Sequence, residues 1–249
     1  VVVAVIQLCE LLLAAEQGVR SFAVSFSQTG SFIQDLALAR VLRAMSADYL
    51  ARFGFENVFV YLAYHQWMGA FPYDNERAIA LIAASAQIAA LIGADKVVCK
   101  TKEEARGIPT IENNAEAVRL ATYVLDHAAV GTDIGGPAIE DEVSRIERQV
   151  DAVMTALFDL STTLFGTSVG LAFETGLLDI PFSPHETNAD AMRTRRGRDN
   201  GIFITDPGNM PLPADTLEAE REALAVCAAE EEGETYFKSI MRDINLMAH

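Results

Sequence analysis

Three short polar clusters hold the side chains best suited to bind a ligand or to move a proton. They occupy residues 25–30 (SFSQTG), 64–69 (YHQWMG) and 100–104 (KTKEE). Each cluster ends or follows a run of β-branched and aromatic residues, which is typical of a β-strand. In a parallel α/β sheet, ligands bind at the carboxyl ends of the strands and at the loops that follow them. The pattern therefore predicts that the three clusters meet at one site.

Lys100 and Glu104 are the charged candidates in this site. The lysine ammonium could donate hydrogen bonds to ligand oxygens or, in an apolar setting, act as an amine nucleophile. It could equally be an ordinary lysine at the end of a strand. Thr101 and Glu104 have the spacing of a capping box, so Glu104 could cap a helical turn and still present its carboxylate to a ligand.

His65 is the histidine candidate, and Met68 with Trp67 supplies apolar surface beside it. The imidazole could act as an acid, a base or a ligand, or form a hydrogen-bonded wall of a pocket. Because no second histidine, cysteine or carboxylate lies near it at metal-binding spacing, no metal site is predicted. Met68 and Trp67 could lie under a flat cofactor or belong to the core.

Other motifs give little support to alternative chemistries. Residues 193–198 (RTRRGR) form a basic run in an acidic chain, and could grip a phosphate or carboxylate or lie in a solvated loop. The glycine-rich segments 131–137 and 166–170 match neither the dinucleotide nor the P-loop spacing and predict turns. No Ser/His/Asp arrangement stands out that would indicate acyl transfer.

Strands and helices must alternate to position these clusters. The predicted strands are residues 21–26, 58–64 and 96–99, and a helical stretch precedes each of them. This alternation indicates βαβ units and a parallel sheet. Three parallel strands cannot close a barrel, and an open three-stranded sheet leaves apolar edges and faces uncovered. Either the rest of the chain covers them, or strands are missing.

The helices carry their own boundary signals. Ser31 and Gln34 have capping-box spacing at the start of one helix, and Gly54 is placed to end it. Further helices are predicted over residues 76–92 and 112–125. A longer one has apolar residues at heptad spacing between 139 and 160, which could pack within its own domain or form a seam with another chain.

Composition limits the classes of function. The formal net charge of −16 argues against general binding to nucleic acid or to an anionic membrane, because like charges repel. The three cysteines are far apart and odd in number, which favours a reduced, cytoplasmic setting. The longest apolar stretch, residues 78–93, is too short to span a bilayer. Because the chain opens on Val1 without an initiator methionine, we expect it to be a piece of a longer protein.

Several unusual motifs resemble the epsilon, or catalytic, subunit of the glutamate mutase family, which is also called methylaspartate mutase. The resemblance runs in order along nearly the whole chain. The motifs are residues 13–19 (LAAEQGV), 30–40, 65–69 (HQWMG), 100–101 (KT), 107–110 (GIPT), 172–176 (AFETG), 179–182 (DIPF), 198–200 (RDN) and 208–211 (GNMP).

This resemblance implies a cofactor, a reaction and partners. The family uses adenosylcobalamin to interconvert L-glutamate and threo-3-methylaspartate by a radical carbon-skeleton rearrangement. A small sigma-type subunit binds the cobalamin through a D-x-H-x-x-G motif, and this chain has no such motif. A homodimer of catalytic subunits is also expected.

The resemblance also assigns cofactor-binding residues. The family's lysine and glutamate beside the adenosyl ribose match Lys100 and Glu104. Met68 and Ile108 match other pocket residues, and His65 joins them in the predicted site. No catalytic residue is assigned in this chain, because the family's substrate-binding arginines lie in an N-terminal half that nothing here matches.

The resemblance implies an α/β fold in the form of a partial TIM-type (β/α) barrel. Residues 1–130 would supply about the last three parallel strands, and residues 131–249 a helical and irregular C-terminal extension that includes an acidic helix over 216–231. We expect such a fragment to be inactive alone. Two other interpretations stay open: a TIM-barrel aldolase or lyase with Lys100 as its Schiff-base residue, and a non-catalytic scaffold.

Overall fold

The computed structural model describes residues 1–128, 134–160, 163–181, 183–225 and 235–249. Parts of the turn predicted at 131–137 and of the helix predicted at 216–231 lie outside the described residues, as do Phe182 and Cys227. The elements in chain order are α1 (Val2–Glu16), β1 (Ser21–Ser27), α2 (Phe32–Arg52), β2 (Phe59–His65), α3 (Asn75–Leu91), β3 (Lys96–Val98), α4 (Ile111–His127), α5 (Pro137–Asp159), α6 (Phe165–Glu174), β4 (Arg193–Arg196), β5 (Ile202–Asp206), α7 (Ala214–Ala225) and α8 (Tyr236–Ile244).

Strands β1, β2 and β3 form the predicted parallel sheet, and each strand pairs with the next one along the chain. Ser27 is in register with His65, and His65 is in register with Val98. Each predicted strand boundary is correct to within one residue. The fold is α/β, and within the described residues the three-stranded sheet is open, with no closed barrel.

The two faces of the sheet differ in exposure. Side chains alternate between the two faces along a strand, so Leu62 and Tyr64 of β2 share one face. Both are buried, because helices cover that face. Phe59 and Tyr61 lie on the opposite face, are exposed, and have ring centroids 4.5 Å apart. One face of the sheet therefore presents aromatic side chains that no described element covers.

The start of α2 corrects a prediction. Ser31 is the N-cap, but its side chain does not cap the helix, so the predicted capping box of Ser31 and Gln34 is wrong. The Gln34 amide instead donates to the carbonyl of Ile202 at 3.0 Å and accepts from its N–H at 2.8 Å. The Gln34 side chain thus pairs with the backbone of the first residue of β5. The predicted end of the helix is correct, with Gly54 at φ +76° just beyond it.

Helix α5 packs on α2 of the same chain, so packing within the chain accounts for its heptad spacing. Its buried face includes Ile146, Val150, Val153 and Leu157, which belong to the main apolar core. That core also contains residues of α1, α2 and the segment after α6. Among the described helices, none is both long and apolar enough to cross a membrane.

The chain from Gly166 onward is more regular than predicted. The turn predicted at 166–170 is wrong, because these residues lie within α6. Strands β4 and β5 form an antiparallel hairpin, so the basic run at 193–198 begins in a β-strand rather than a solvated loop. Arg145 of α5 pairs with Glu142 and with Glu220, and Glu220 also accepts the backbone N–H of Ile204. This buried network holds α7 and the hairpin against α5.

Candidate functional site

The three polar clusters meet at the carboxyl ends of the strands, as predicted. Gln28 N donates to the carbonyl of His65 at 2.9 Å. Lys100 N donates to the side-chain oxygen of Gln66 at 2.8 Å. We use the name strand-end site for Gln28, His65 and Lys100 with the loop residues 28–30, 66–69 and 100–104.

Two buried amides fix the loops of the strand-end site on α3. The Gln66 side chain is fully buried and donates to the carbonyl of Ile82 at 3.2 Å. The Gln28 side-chain oxygen accepts from the Ser85 hydroxyl at 2.5 Å. Because buried amides need partners, these bonds restrict the conformations of both loops. Sequence reasoning did not find this role, although two glutamines directly after strands were a signal for it.

Lys100 and Glu104 form an ion pair, with Nζ and Oε2 3.1 Å apart. The second Glu104 oxygen accepts from Thr101 N at 3.4 Å, which is one half of the predicted capping box. The other half is absent, because the Thr101 hydroxyl accepts from Glu103 N instead. The lysine and glutamate side chains are 21% and 27% exposed, so this oriented pair remains accessible to a ligand.

His65 lies half-buried beside this pair. Burial lowers the pKa of its imidazole, and the positive charges of Lys100 and Lys96 lower it further. A neutral imidazole has one donor and one acceptor nitrogen, so His65 can hydrogen-bond a hydroxyl in either direction. Among the described residues, no group of three histidine, cysteine or carboxylate side chains could hold a metal ion.

The apolar candidates separate into surface and core. Met68 is 56% exposed and Ile108, in the loop before α4, is 97% exposed. Trp67 is buried in a small cluster with Phe71 and Ile82. Met68 and Ile108 therefore present apolar side chains to solvent, whereas Trp67 supports its loop from beneath.

Asp35 is a buried carboxyl group directly behind the strand-end site. It accepts from the N–H and the hydroxyl of Thr29 at 2.8 and 2.9 Å, and from the Tyr64 hydroxyl at 3.3 Å. Burial raises the pKa of Asp35 to about 6, although its hydrogen bonds and Arg196 oppose the rise. Sequence reasoning missed this role; the signal was a charged residue on the apolar face of α2, three residues before Leu38.

Asp35→Asn should remove part of the pH dependence of stability. The carboxyl binds its proton more tightly in the folded chain, so its contribution to the free energy of unfolding falls as pH rises from about 4 to about 6. A pKa rise of about two units corresponds to about 3 kcal/mol over that range. Asparagine can still accept from Thr29, but it does not titrate.

Urea unfolding at pH 4.5 and pH 7.5 tests this expectation. The wild-type chain should lose more stability between these pH values than Asp35→Asn does. Asp48→Asn, at an exposed position of the same helix, should keep the wild-type difference. Equal pH dependence in the wild type and Asp35→Asn would contradict the role assigned to Asp35.

Comparison with known proteins identifies the family. A family model described as Methylaspartate mutase E chain (MutE) matches residues 1–249. A protein of Yersinia enterocolitica named glutamate mutase epsilon subunit is 37% identical over 244 residues, which are 98% of this chain and 51% of the relative. A protein of the same name from Escherichia coli O157:H7 is 35% identical over 244 residues, again 98% of this chain and 51% of the relative.

An archaeal relative extends the similarity. The glutamate mutase epsilon subunit of Haloarcula marismortui is 32% identical over 243 residues, which are 98% of this chain and 49% of the relative. The chain thus spans about half the length of the curated relatives it matches. These findings confirm the resemblance noted in the sequence: the chain belongs to the methylaspartate mutase E chain family.

Proposed function

We propose that this chain forms part of the catalytic subunit of a glutamate mutase, an isomerase of the cytoplasm. The reaction would interconvert L-glutamate and threo-3-methylaspartate by a radical carbon-skeleton rearrangement. The observation that carries the proposal is the family match over all 249 residues. The geometry supports it, because the charged and apolar candidates gather at one end of a parallel sheet, where α/β enzymes bind their ligands.

Adenosylcobalamin is the cofactor we propose, and the residues of the strand-end site suit it. When bound, it supplies the organic radical that starts the rearrangement. The Lys100 ammonium and the Glu104 carboxylate, which already face each other at 3.1 Å, can donate to and accept from the hydroxyls of a ribose. Met68 and Ile108 are exposed apolar side chains and would supply apolar contacts to the cofactor.

Each side chain would then have a limited task. Lys100 and Glu104 would orient the ribose, and Thr101 N would keep the Glu104 carboxylate in place. His65 would add a neutral donor or acceptor at the same edge. Met68 and Ile108 would exclude water, which protects reactive intermediates from side reactions.

The remaining barrel strands would come from the part of the family's length that this chain does not cover. We propose that residues 1–130 supply the last three strands of a TIM-type (β/α)₈ barrel and that residues 131–249 form the C-terminal extension. The uncovered Phe59 and Tyr61 favour this arrangement, because closure of a barrel would bury them. The groups that bind the substrate would lie in the other part, so this chain alone should not turn over glutamate.

The proposed partners are a small sigma-type subunit that binds the cobalamin and a second catalytic subunit in a homodimer. The exposed Met68 and Ile108 favour a docked partner at the strand-end site. The net charge of −16 disfavours nucleic acid as a partner.

Assembly on adenosylcobalamin tests this proposal. The chain would be combined with the complementary part of the catalytic subunit and with a sigma-type subunit, and cofactor binding followed by its visible absorbance. We expect the sigma-type subunit to bind adenosylcobalamin at least about tenfold more tightly when both catalytic parts are present, because they add new contacts. An affinity that does not change when this chain is added would contradict the proposal.

A further inference from the structure

Arg196, the last residue of β4, lies beside the strand-end site although it is far from it in sequence. Its Nη1 donates to the carbonyl of Thr29, in the loop after β1, at 2.6 Å. The same nitrogen donates to the carbonyl of Asn200 in its own hairpin, also at 2.6 Å. The side chain is only 11% exposed. A buried guanidinium therefore joins the C-terminal hairpin to a loop of the site.

Two further contacts of Arg196 reach the second loop and the C-terminal helix. Its guanidinium carbon lies 5.7 Å from the centre of the Trp67 ring, which is within the range of a cation–π interaction. Its Nε lies 3.7 Å from Oδ1 of Asp243, near the end of α8. One side chain thus contacts three segments: the loop after β1, the loop after β2, and α8.

The end of α8 is itself in close contact with these loops. Ala70 N donates to the carbonyl of Ile244 at 2.8 Å. A Cβ atom at Gly69 would come within 2.6 Å of that same carbonyl, so only glycine lets the two backbones approach. A Cβ atom at Gly30 would come within 2.8 Å of the Leu246 side chain and 3.2 Å of Arg196 Nη1. Both loops therefore have backbone shaped to fit the segment that follows β4.

We propose that Arg196 is a positioning residue: it holds α8 against the strand-end site and thereby fixes the loops at 28–30 and 66–69. Arginine suits this task because its planar group can donate to carbonyls while lying against an aromatic ring. Lysine presents a compact ammonium and cannot do both in this geometry.

The contacts of Arg196 also shape the space beside the site. A cavity of about 430 Å³ lies between α8 and the loops. Its walls include Gln28, Met68, Arg196 and Asp243. Met68, which we propose as a cofactor contact, thus lines the same cavity as Arg196. The inference rests on the proposed function only in treating this region as an active site; the contacts themselves do not depend on a cofactor.

The single tryptophan of the chain, Trp67, provides the test. Arg196→Ala, Arg196→Lys and the control Arg221→Ala would be compared by tryptophan emission, acrylamide quenching and amide hydrogen exchange, without cofactor. In Arg196→Ala we expect a red-shifted, more readily quenched emission, because Trp67 loses the guanidinium beside its ring. We also expect about tenfold faster exchange in α8, because the helix loses the ion pair between Asp243 and Arg196. Arg196→Lys should restore α8 in part. Arg221, on the exposed face of α7, should change neither.

Two results in Arg196→Ala would overturn the inference, and a second variant covers a failure to fold. Unchanged emission and unchanged exchange in Arg196→Ala would overturn it. Faster exchange in α8 with no change at Trp67 would also overturn it, because the loop would then not depend on the helix. If Arg196→Ala does not fold, Asp243→Asn is measured instead, because it removes the charge on α8 that faces Arg196. The same two results in Asp243→Asn would overturn the inference. None of these readouts needs turnover, so failure here is distinguishable from failure of the proposed mutase activity.

Discussion

In the completed enzyme, Lys100→Ala is expected to lower turnover about a hundredfold while the chain stays folded. A hydrogen bond from a charged donor contributes about 1.5–3 kcal/mol, and 2.7 kcal/mol corresponds to roughly a hundredfold in rate. Without the ammonium, the ribose would lose the donor that we propose for it, and Glu104 loses its ion-pair partner at 3.1 Å. Steady-state kinetics with saturating adenosylcobalamin, together with circular dichroism, would measure both quantities.

A matched pair of variants separates ligand binding from local structure. Glu104→Gln keeps an oxygen that can accept from Thr101 N but removes the negative charge. It should lower turnover about tenfold or more if Glu104 contacts the ligand, and hardly at all if it only caps the turn. Lys96→Ala, at the other end of β3, removes the same charge as Lys100→Ala and should leave the rate near the wild-type value.

Two results would contradict the role of Lys100. Unchanged kinetics in Lys100→Ala would show that the ammonium does not contact the cofactor or substrate. Covalent trapping of substrate on Lys100 by borohydride would support the aldolase or lyase interpretation instead. The oriented carboxylate of Glu104 argues against that outcome, because an amine nucleophile is favoured by an apolar setting.

Asp179→Ala is expected to have the largest effect on stability, lowering the free energy of unfolding by about 3–5 kcal/mol. The Asp179 side chain is fully buried. It accepts from the backbone N–H groups of Asp190, Ala191 and Met192 at 3.0, 2.7 and 2.7 Å. It also accepts from the side-chain amide of Asn188 at 2.9 Å. Alanine would leave all four donors without this acceptor.

The backbone around Asp179 explains why the loss should be large. Asp190 has φ +48°, in the left-handed region that non-glycine residues seldom adopt, and the Asp179 bonds hold the chain there. Urea unfolding monitored by circular dichroism would give the free energy. Asp206→Ala, at an exposed carboxylate that accepts from Gly208 N at 2.9 Å, should cost only about 0.5–1 kcal/mol. A similar small cost for Asp179→Ala would refute this account.

Local patterns predicted the elements of the fold well. The three strands were correct to within one residue, because each is a compact apolar run between clear helix ends such as Gly54. The parallel pairing followed from the alternation of strands and helices. The convergence of Gln28, His65 and Lys100 then followed from topology alone, since the carboxyl ends of parallel strands share an edge.

Contacts between distant segments were not predictable in the same way. The Gln34 amide was assigned to a capping box, but it pairs with Ile202, which is 168 residues away. The basic run that contains Arg196 is expected to grip an anion or to lie in a solvated loop, but Arg196 reaches the carbonyl of Thr29 across 167 residues. Side chains such as these have several local partners to choose from, and tertiary packing decides among them. For Asp35, position on an apolar helix face was a usable signal.

The most direct measurement of the central claim is the conversion of L-glutamate to threo-3-methylaspartate, followed by proton NMR. The chain, the complementary part of the catalytic subunit, a sigma-type subunit and adenosylcobalamin would be mixed, and each would be left out in turn. We predict product only in the complete mixture. The proposed mutase activity would be contradicted if product formed at the same rate without this chain. It would also be contradicted if a complete mixture gave no product although its parts were folded and assembled.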